Sequence, residues 1–293
     1  MKIISENCIV KEKVDMREYT SFKTGGIADI MIEPTTPLAV ASVLRELKNM
    51  GTDYYVLGNG SNLLVADEGL RKPVVHIGKN MSEIKVDGEH IICQAGALLS
   101  KVAMTAYKNS LTGMEFAHGI PGSVGGAVCM NAGAYGGEMK DIIDWIDYAS
   151  ETGEVYRMDN DSACFGYRKS FFSDKKYVVT QVGIKLNKGN SEEIINKMKE
   201  LGQKRRDKQP LEYPSAGSTF KRPEGYFAAA LIEEAGLKGE CVGGACVSEK
   251  HSGFIINKDN ATTGDILMLM DKVKKVVYEK NNVVLEAEVK YWK

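Results

Sequence analysis

The chain has 293 residues, 43% hydrophobic and 26% charged, with a net charge of −1. That length accommodates two domains with a ligand cleft between them, while the near-zero charge excludes a protein built to grip nucleic acid, which needs a basic excess to displace counterions. No apolar run is long enough to span a bilayer and the opening Met1-Lys2-Ile3-Ile4-Ser5-Glu6-Asn7 lacks a hydrophobic signal core, so a cytoplasmic protein with no membrane partner is expected.

Along the chain, Arg17-Glu18-Tyr19-Thr20-Ser21-Phe22-Lys23-Thr24-Gly25-Gly26 reads as a polar turn leading into a short strand, Ala28 to Ile32. Thr36 caps a helix whose Pro37 suits the first turn, with Val40, Val43, Leu44 and Leu47 on one face and Gly51 past its end. Tyr54 to Leu57 is a second strand, completing a strand, helix, strand unit. Gly58-Asn59-Gly60-Ser61-Asn62-Leu63 follows, and the residues after its glycines look like strand rather than helix. A dinucleotide fingerprint must open a helix, and the Walker lysine is missing too, so this is a tight loop offering backbone amides, Ser61 and Asn62 without a helix dipole. Strands are expected at Val74 to Ile77, Ile84 to Val86 and Ile91 to Gln94, then a helix from about Lys101 to Asn109.

The stretch from Gly119 to Gly137 holds seven glycines in nineteen residues, against 30 in the whole chain. A flexible linker would be padded with serine and charge and would not contain Ile120, Val124, Val128 and Met130. The expectation is a buried, folded loop whose amides face an anion such as a phosphate or pyrophosphate. Antiparallel strands are expected at Trp145 to Ala149, Gly153 to Tyr156 and Lys176 to Val182. Turn formers near Asn187-Lys188-Gly189-Asn190 mark a boundary, after which Ser191 caps a helix ending in Lys204-Arg205-Arg206-Asp207-Lys208 and stopped by Pro210. Further helices are expected at Phe227 to Ala235 and after Thr262 or Thr263, the latter with Ile266, Leu269, Met270, Val273 and Val277 as its apolar stripe. Val283 to Tyr291 alternates strictly, placing Glu286, Glu288 and Lys290 on one face of a closing strand. The fold class is α+β.

The six cysteines (8, 93, 129, 164, 241, 246) contain no Cys-x-x-Cys pair, and reduced, mostly buried thiols are expected rather than a disulfide or a metal site. Three polar groups are candidates for chemistry, each with a plain structural alternative. Tyr167-Arg168 offers a planar guanidinium for a carboxylate or phosphate, or is a surface pair. Ser218, in Ser215-Ala216-Gly217-Ser218-Thr219-Phe220-Lys221, is a nucleophile or proton donor, or part of a simple turn; the Gly-x-Ser-x-Gly elbow is not met. Glu288 looks like a member of a solvated strand face. His251 lacks partners at metal-ligand spacing.

These motifs in their order and spacing cover nearly the whole chain, and the set resembles the flavin-dependent UDP-N-acetylenolpyruvoylglucosamine reductases of bacterial cell-wall synthesis. The resemblance rests on Tyr19 to Gly26, Leu57 to Leu64, Gly119 to Gly137, Tyr167-Arg168, Ala216 to Lys221 and Leu285 to Val289. It implies a vanillyl-alcohol-oxidase-type FAD-binding domain over residues 1–187, in two subdomains of roughly 1–67 and 68–187, and a smaller α+β substrate-binding domain over 188–293. It further implies noncovalent FAD held by Gly58, Asn59, Gly60, Ser61, Asn62 and Leu63 together with Gly119, Ile120, Pro121, Gly122, Ser123, Gly125, Gly126, Asn131 and Gly133. NADPH would be the reductant and a UDP-sugar the substrate, with no obligate protein partner. Arg168, Ser218 and Glu288 match the family's catalytic arginine, proton donor and glutamate, while Tyr167, Lys208 and Lys221 would bind substrate. The interval from Arg168 to Ser218 is too short for the tyrosine-bearing loop of one branch, so the chain resembles the other. Arg222 and His251 stand where some relatives have amides and take no role from the resemblance. Two readings compete: another flavin oxidase or dehydrogenase of the same fold, and a nucleotide-sugar-binding protein without redox activity.

Overall fold

The structure, a computed structural model, describes residues 6–173 and 175–293; residues 1–5, part of the opening stretch read for a signal core, lie outside them. In chain order the elements are β1 (Cys8–Asp15), β2 (Ile27–Pro34), α1 (Pro37–Asn49), β3 (Tyr55–Leu57), β4 (Leu63–Val65), β5 (Val74–His76), β6 (Ile84–Asp87), β7 (His90–Gln94), α2 (Leu99–Lys108) and β8 (Leu111–Thr112). They continue with α3 (Val124–Met130), β9 (Gly133–Ala134), β10 (Gly137–Glu138), β11 (Ile143–Ala149), β12 (Val155–Asp159), β13 (Val178–Lys185) and β14 (Asn187–Lys188). Last come α4 (Ser191–Lys208), α5 (Ala228–Glu234), β15 (Cys241–Val242), β16 (Ala245–Val247), β17 (Ile255–Asn257), α6 (Thr263–Asn281) and β18 (Lys290–Trp292).

The chain forms two compact units that interleave along the sequence. One takes the chain up to Glu12, Ile30–Asn59 and Lys72–Lys204; the other takes Lys13–Asp29, Gly60–Arg71 and Arg205–Lys293. In the first, an antiparallel sheet runs β12-β11-β13-β7-β6. β5 pairs in parallel with both β2 and β3, as the strand, helix, strand reading requires. α1 starts as expected: the Thr36 hydroxyl accepts from the Ala39 N–H at 3.1 Å, and Val40, Val43, Leu44 and Leu47 are fully buried in this unit's core.

The second unit has its own core, where Ile266, Leu269, Met270, Val273 and Val277 of α6 meet Leu231 and Ile232 of α5 and Val247 and Ile255 of the β15-β16-β17 sheet. Thr262 and Asp265 form a reciprocal capping box at the start of α6, at 3.0 and 2.9 Å. Asp67 adds a cap that no local pattern announces, accepting from the Thr263 and Gly264 N–H groups at 2.9 Å each.

Several expectations are corrected. Within the glycine-rich stretch the chain is not loop throughout: Val124, Ala127 and Val128, spaced for one helix face, are buried and fold residues 124–130 into α3. The cap of α4 is Asn190, whose Oδ1 accepts from Glu192 and Glu193 N–H at 2.8 and 3.2 Å, leaving Ser191 inside the helix. The alternation of the C-terminal segment does bury Leu285 and Val289, yet a strand ladder forms only at β18, parallel to β4. Cys241 and Cys246 are joined in a disulfide. The Gly243-Gly244 turn between β15 and β16 sets them directly opposite each other, which nearness in sequence plus a two-glycine turn foreshadows. Of the free thiols, Cys93 is buried, its pKa pushed up to about 12 by desolvation, whereas Cys164 is exposed.

Candidate active site

In the first unit the glycine-rich stretch is seated against the chain entering α2. Leu99 N–H donates to the Gly122 carbonyl at 3.0 Å, Val124 N–H to Ala97 at 2.8 Å and Gly125 N–H to Ala95 at 2.8 Å. A Cβ on Gly125 would come within 2.9 Å of the Ala95 Cβ, so the close approach requires glycine. The loop after β3 meets the same stretch: Asn59 Nδ2 donates to the Pro121 carbonyl at 2.7 Å, and a Cβ on Gly58 would lie 2.5 Å from Ser123 Oγ. Two glycine segments some sixty residues apart in sequence therefore converge. Ser123 is 3% exposed, and among the described residues its hydroxyl has no hydrogen-bond partner. A buried hydroxyl of that kind is costly unless something not part of the chain completes it.

Not every glycine of the stretch faces a ligand. A Cβ on Gly133 would strike Glu138 Cγ at 2.7 Å and the Gly137 carbonyl at 2.8 Å, so the β9-β10 pairing explains that glycine. Asn131, 1% exposed, spends both amide hydrogens internally, on Glu138 and the Gly166 carbonyl. Tyr167 and Arg168 occupy the tip of a tight turn closed by Gly166 and Lys169, with Tyr167 exposed and Arg168 at φ 54°.

In the second unit, Gly60 sits at φ 61°, where a Cβ would come within 1.9 Å of the Tyr19 carbonyl oxygen. The Tyr19 to Gly26 turn is thus packed onto the loop, its Ser21 N–H donating to Gly60 at 3.0 Å. Asn62 Nδ2 donates to the Glu288 carbonyl at 3.0 Å, and Glu288 N–H donates to the Thr219 carbonyl at 2.9 Å. Thr219 is fully buried; its N–H donates to Gly253 and its hydroxyl accepts from Ile255. Ser218 follows Gly217, whose φ of +76° turns the chain in open space. The segment carrying Ser218 is therefore sandwiched between the segments carrying Gly253 and Glu288. Lys221 is paired with Glu286 at 3.1 Å, and Lys208 ends α4. Arg222 stacks on the Phe227 ring at 3.9 Å. Burial holds the His251 imidazole below the usual histidine range, and its Nδ1 accepts from the Gly253 N–H at 3.2 Å.

Residues 28–159 match the family described as FAD binding domain, and residues 209–292 match the UDP-N-acetylenolpyruvoylglucosamine reductase C-terminal domain. A UDP-N-acetylenolpyruvoylglucosamine reductase from Clostridium novyi is 50% identical over 281 residues, covering 96% of this chain and 91% of that protein. This chain belongs to the UDP-N-acetylenolpyruvoylglucosamine reductase family. A further reductase of that name, from Caldanaerobacter subterraneus subsp. tengcongensis, is 49% identical over 94% of this chain and 91% of its own. The crystal structure of the reductase from Thermus caldophilus superposes with a TM-score of 0.85 at 35% identity, over 98% of this chain and all of that one.

As a member of this reductase family the protein is an FAD-dependent oxidoreductase of the α+β class. The chain's own residues fit that cofactor. The close approach that Gly58 allows to Ser123 and the orphaned Ser123 hydroxyl itself fit a phosphate oxygen of the pyrophosphate, whereas the Val124 and Gly125 N–H groups are already spent on Ala97 and Ala95. Ser123→Ala should leave the FAD-free protein as stable as before, since it removes a hydroxyl with nothing to bond. It should weaken FAD by about tenfold, the worth of one hydrogen bond, as read by fluorescence titration of the stripped protein.

Proposed function

We propose that this reductase uses NADPH to convert UDP-N-acetylenolpyruvoylglucosamine into UDP-N-acetylmuramate, a step of peptidoglycan precursor synthesis in the cytoplasm. In this reading residues 1–187 carry FAD noncovalently, residues 188–293 bind the UDP-sugar, and the chain is of the shorter branch, without the tyrosine-bearing loop. The observation that supports it best is the meeting of three distant stretches in the second unit. Asn62 from the loop after β3 holds the Glu288 carbonyl, and Glu288 in turn bonds the residue after Ser218.

FAD, when bound, would supply hydride chemistry, with NADPH as the source of the hydride and the terminal carbon of the enolpyruvyl alkene as its destination. Negative charge then develops on the carbon beside the carboxylate and spreads into it, and the chain must stabilise that charge before a proton arrives. Arg168 grips the carboxylate with paired, charge-assisted hydrogen bonds. Ser218 delivers the proton to the carbon and is replenished by a neighbour or water, because a serine hydroxyl alone is a poor acid. An ionised Glu288 would repel a dianion, so Glu288 acts in its neutral form, with a pKa raised in the complex. Lys208 and Lys221 hold the substrate's diphosphate, Lys221 exchanging Glu286 for a phosphate oxygen, and Tyr167 binds substrate beside Arg168.

The test is turnover of the yellow protein. Under anaerobic conditions NADPH should be consumed beyond the amount that reduces the bound flavin only when UDP-N-acetylenolpyruvoylglucosamine is present, with UDP-N-acetylmuramate formed in step and no further consumption with UDP-N-acetylglucosamine. A redox-silent nucleotide-sugar binder would consume no NADPH. An oxidase of the same fold would ignore this substrate.

A further inference from the structure

Arg168 lies in the left-handed backbone region, which strains a residue with a side chain, so something must hold its turn in place. The turn is closed on itself by Gly166 N–H to the Lys169 carbonyl at 2.9 Å and the reciprocal bond at 3.3 Å. Ser170, just past the turn, donates from its hydroxyl to the Cys129 carbonyl at 3.0 Å, and the anchor on the turn itself comes from the end of α3. Asn131, left-handed at φ 42° as the C-cap of that helix, donates from Nδ2 to the Gly166 carbonyl at 3.1 Å and to Glu138 Oε2 at 2.9 Å. Its Oδ1 accepts from the Lys140 N–H at 3.0 Å, so one buried amide ties three segments together. Glu138 is held in turn by the Lys140 ammonium at 2.9 Å. The Lys140 hydrogen bond, then the Asn131 amide and the nearby charge of Arg168, keep the Glu138 carboxyl below its usual range against the opposing effect of burial.

We propose that Asn131 and Glu138 are positioning residues that hold the Arg168 turn against the end of the glycine-rich helix, presetting the guanidinium for the substrate carboxylate. The proposal rests on the assignment of Arg168 as the carboxylate-binding arginine. It gives Asn131 a part that its place in a glycine-rich cofactor stretch does not announce. The helix that builds the cofactor loop also sets the direction of the arginine.

The test uses FAD-loaded Asn131→Asp, Glu138→Ala and Glu138→Gln. Calorimetry on the oxidised protein measures binding of UDP-N-acetylenolpyruvoylglucosamine and of UDP-N-acetylglucosamine, which lacks the carboxylate, and stopped flow measures each half-reaction. Asn131→Asp and Glu138→Ala should each lose about tenfold in affinity for the enolpyruvyl sugar and about tenfold to a hundredfold in flavin reoxidation, as expected for a misplaced positioning group. In Glu138→Ala, affinity for UDP-N-acetylglucosamine and bleaching by NADPH should stay unchanged. Glu138→Gln, whose amide oxygen still accepts from Asn131, should retain most of the wild-type behaviour. Equal loss toward both sugars, or no loss in Glu138→Ala, overturns the proposal. Arg168→Ala separates the two levels. If it spares the discrimination between the sugars, the assignment of Arg168 fails; if it abolishes the discrimination while the Asn131 and Glu138 variants do not, the positioning role alone fails.

Discussion

Ser218→Ala is expected to slow the return of flavin colour on adding UDP-N-acetylenolpyruvoylglucosamine to the reduced enzyme by about 10²–10⁴-fold, the range lost with a general acid. Bleaching by NADPH should be nearly untouched, because the role proposed for Ser218 belongs to the second half-reaction alone. The serine occupies a well-defined place. Gly217 turns the chain, and fully buried Thr219 fixes the next residue through bonds to Gly253, Ile255 and Glu288. Removing one hydroxyl from this segment leaves every one of those bonds in place, so a change in folding cannot account for the loss. Rapid mixing reads the two half-reactions separately; equal slowing of both would contradict the assigned role.

Gly60→Val is the second large effect, and it falls on the cofactor loop. Gly60 is held at φ 61°, a region that costs a branched residue about 1–2 kcal/mol or more. The added Cβ would also lie 1.9 Å from the Tyr19 carbonyl oxygen and 2.9 Å from its carbon, both backbone atoms that cannot swing aside. Together these consume a large part of the roughly 5–15 kcal/mol that holds a domain folded. The variant should therefore be isolated without flavin colour and with a melting temperature lower by roughly ten degrees or more. Gly136→Ala serves as the control: at φ 91° with nothing within 4 Å of its Cβ, it carries the backbone strain but no collision. It should stay yellow and lose only about 1 kcal/mol. A yellow, stable Gly60→Val would mean that the Tyr19 to Gly26 turn does not brace the loop.

The parts of this fold legible in the sequence are those set by neighbours in the chain. Thr36 before Pro37, and Thr262 three residues ahead of Asp265, name their helices because a cap acts within one turn. The convergence of the Gly58 and Gly119 segments is what the family resemblance implies; glycine content alone marks each as a place of close approach without saying that they meet. What escaped was set by residues far apart. No local pattern says that residues 13–29 and 60–71 join 205–293, that Asp67 caps α6, or that Asn131 reaches Gly166. α3 was hidden because the glycines of its first turn weaken the helix signal, and only burial of Val124, Ala127 and Val128 sustains it. Asn190 was passed over for Ser191 as a cap because both are good capping residues and one position decides which oxygen reaches the free N–H groups. The catalytic candidates gained meaning only as an ordered set. Nothing local separates Glu288 from its solvated neighbour Glu286.

The proposed function is a two-step transfer of reducing equivalents through FAD, with Arg168, Ser218 and Glu288 in the proposed roles of carboxylate holder, proton donor and neutral glutamate. Anaerobic double mixing tests it most directly: the yellow protein is mixed first with NADPH, and then with UDP-N-acetylenolpyruvoylglucosamine or UDP-N-acetylglucosamine. The expected result is bleaching by NADPH, followed by return of colour with the enolpyruvyl sugar alone and one equivalent of UDP-N-acetylmuramate. Flavin that stays bleached with that sugar, or recovers equally with both, would contradict the account.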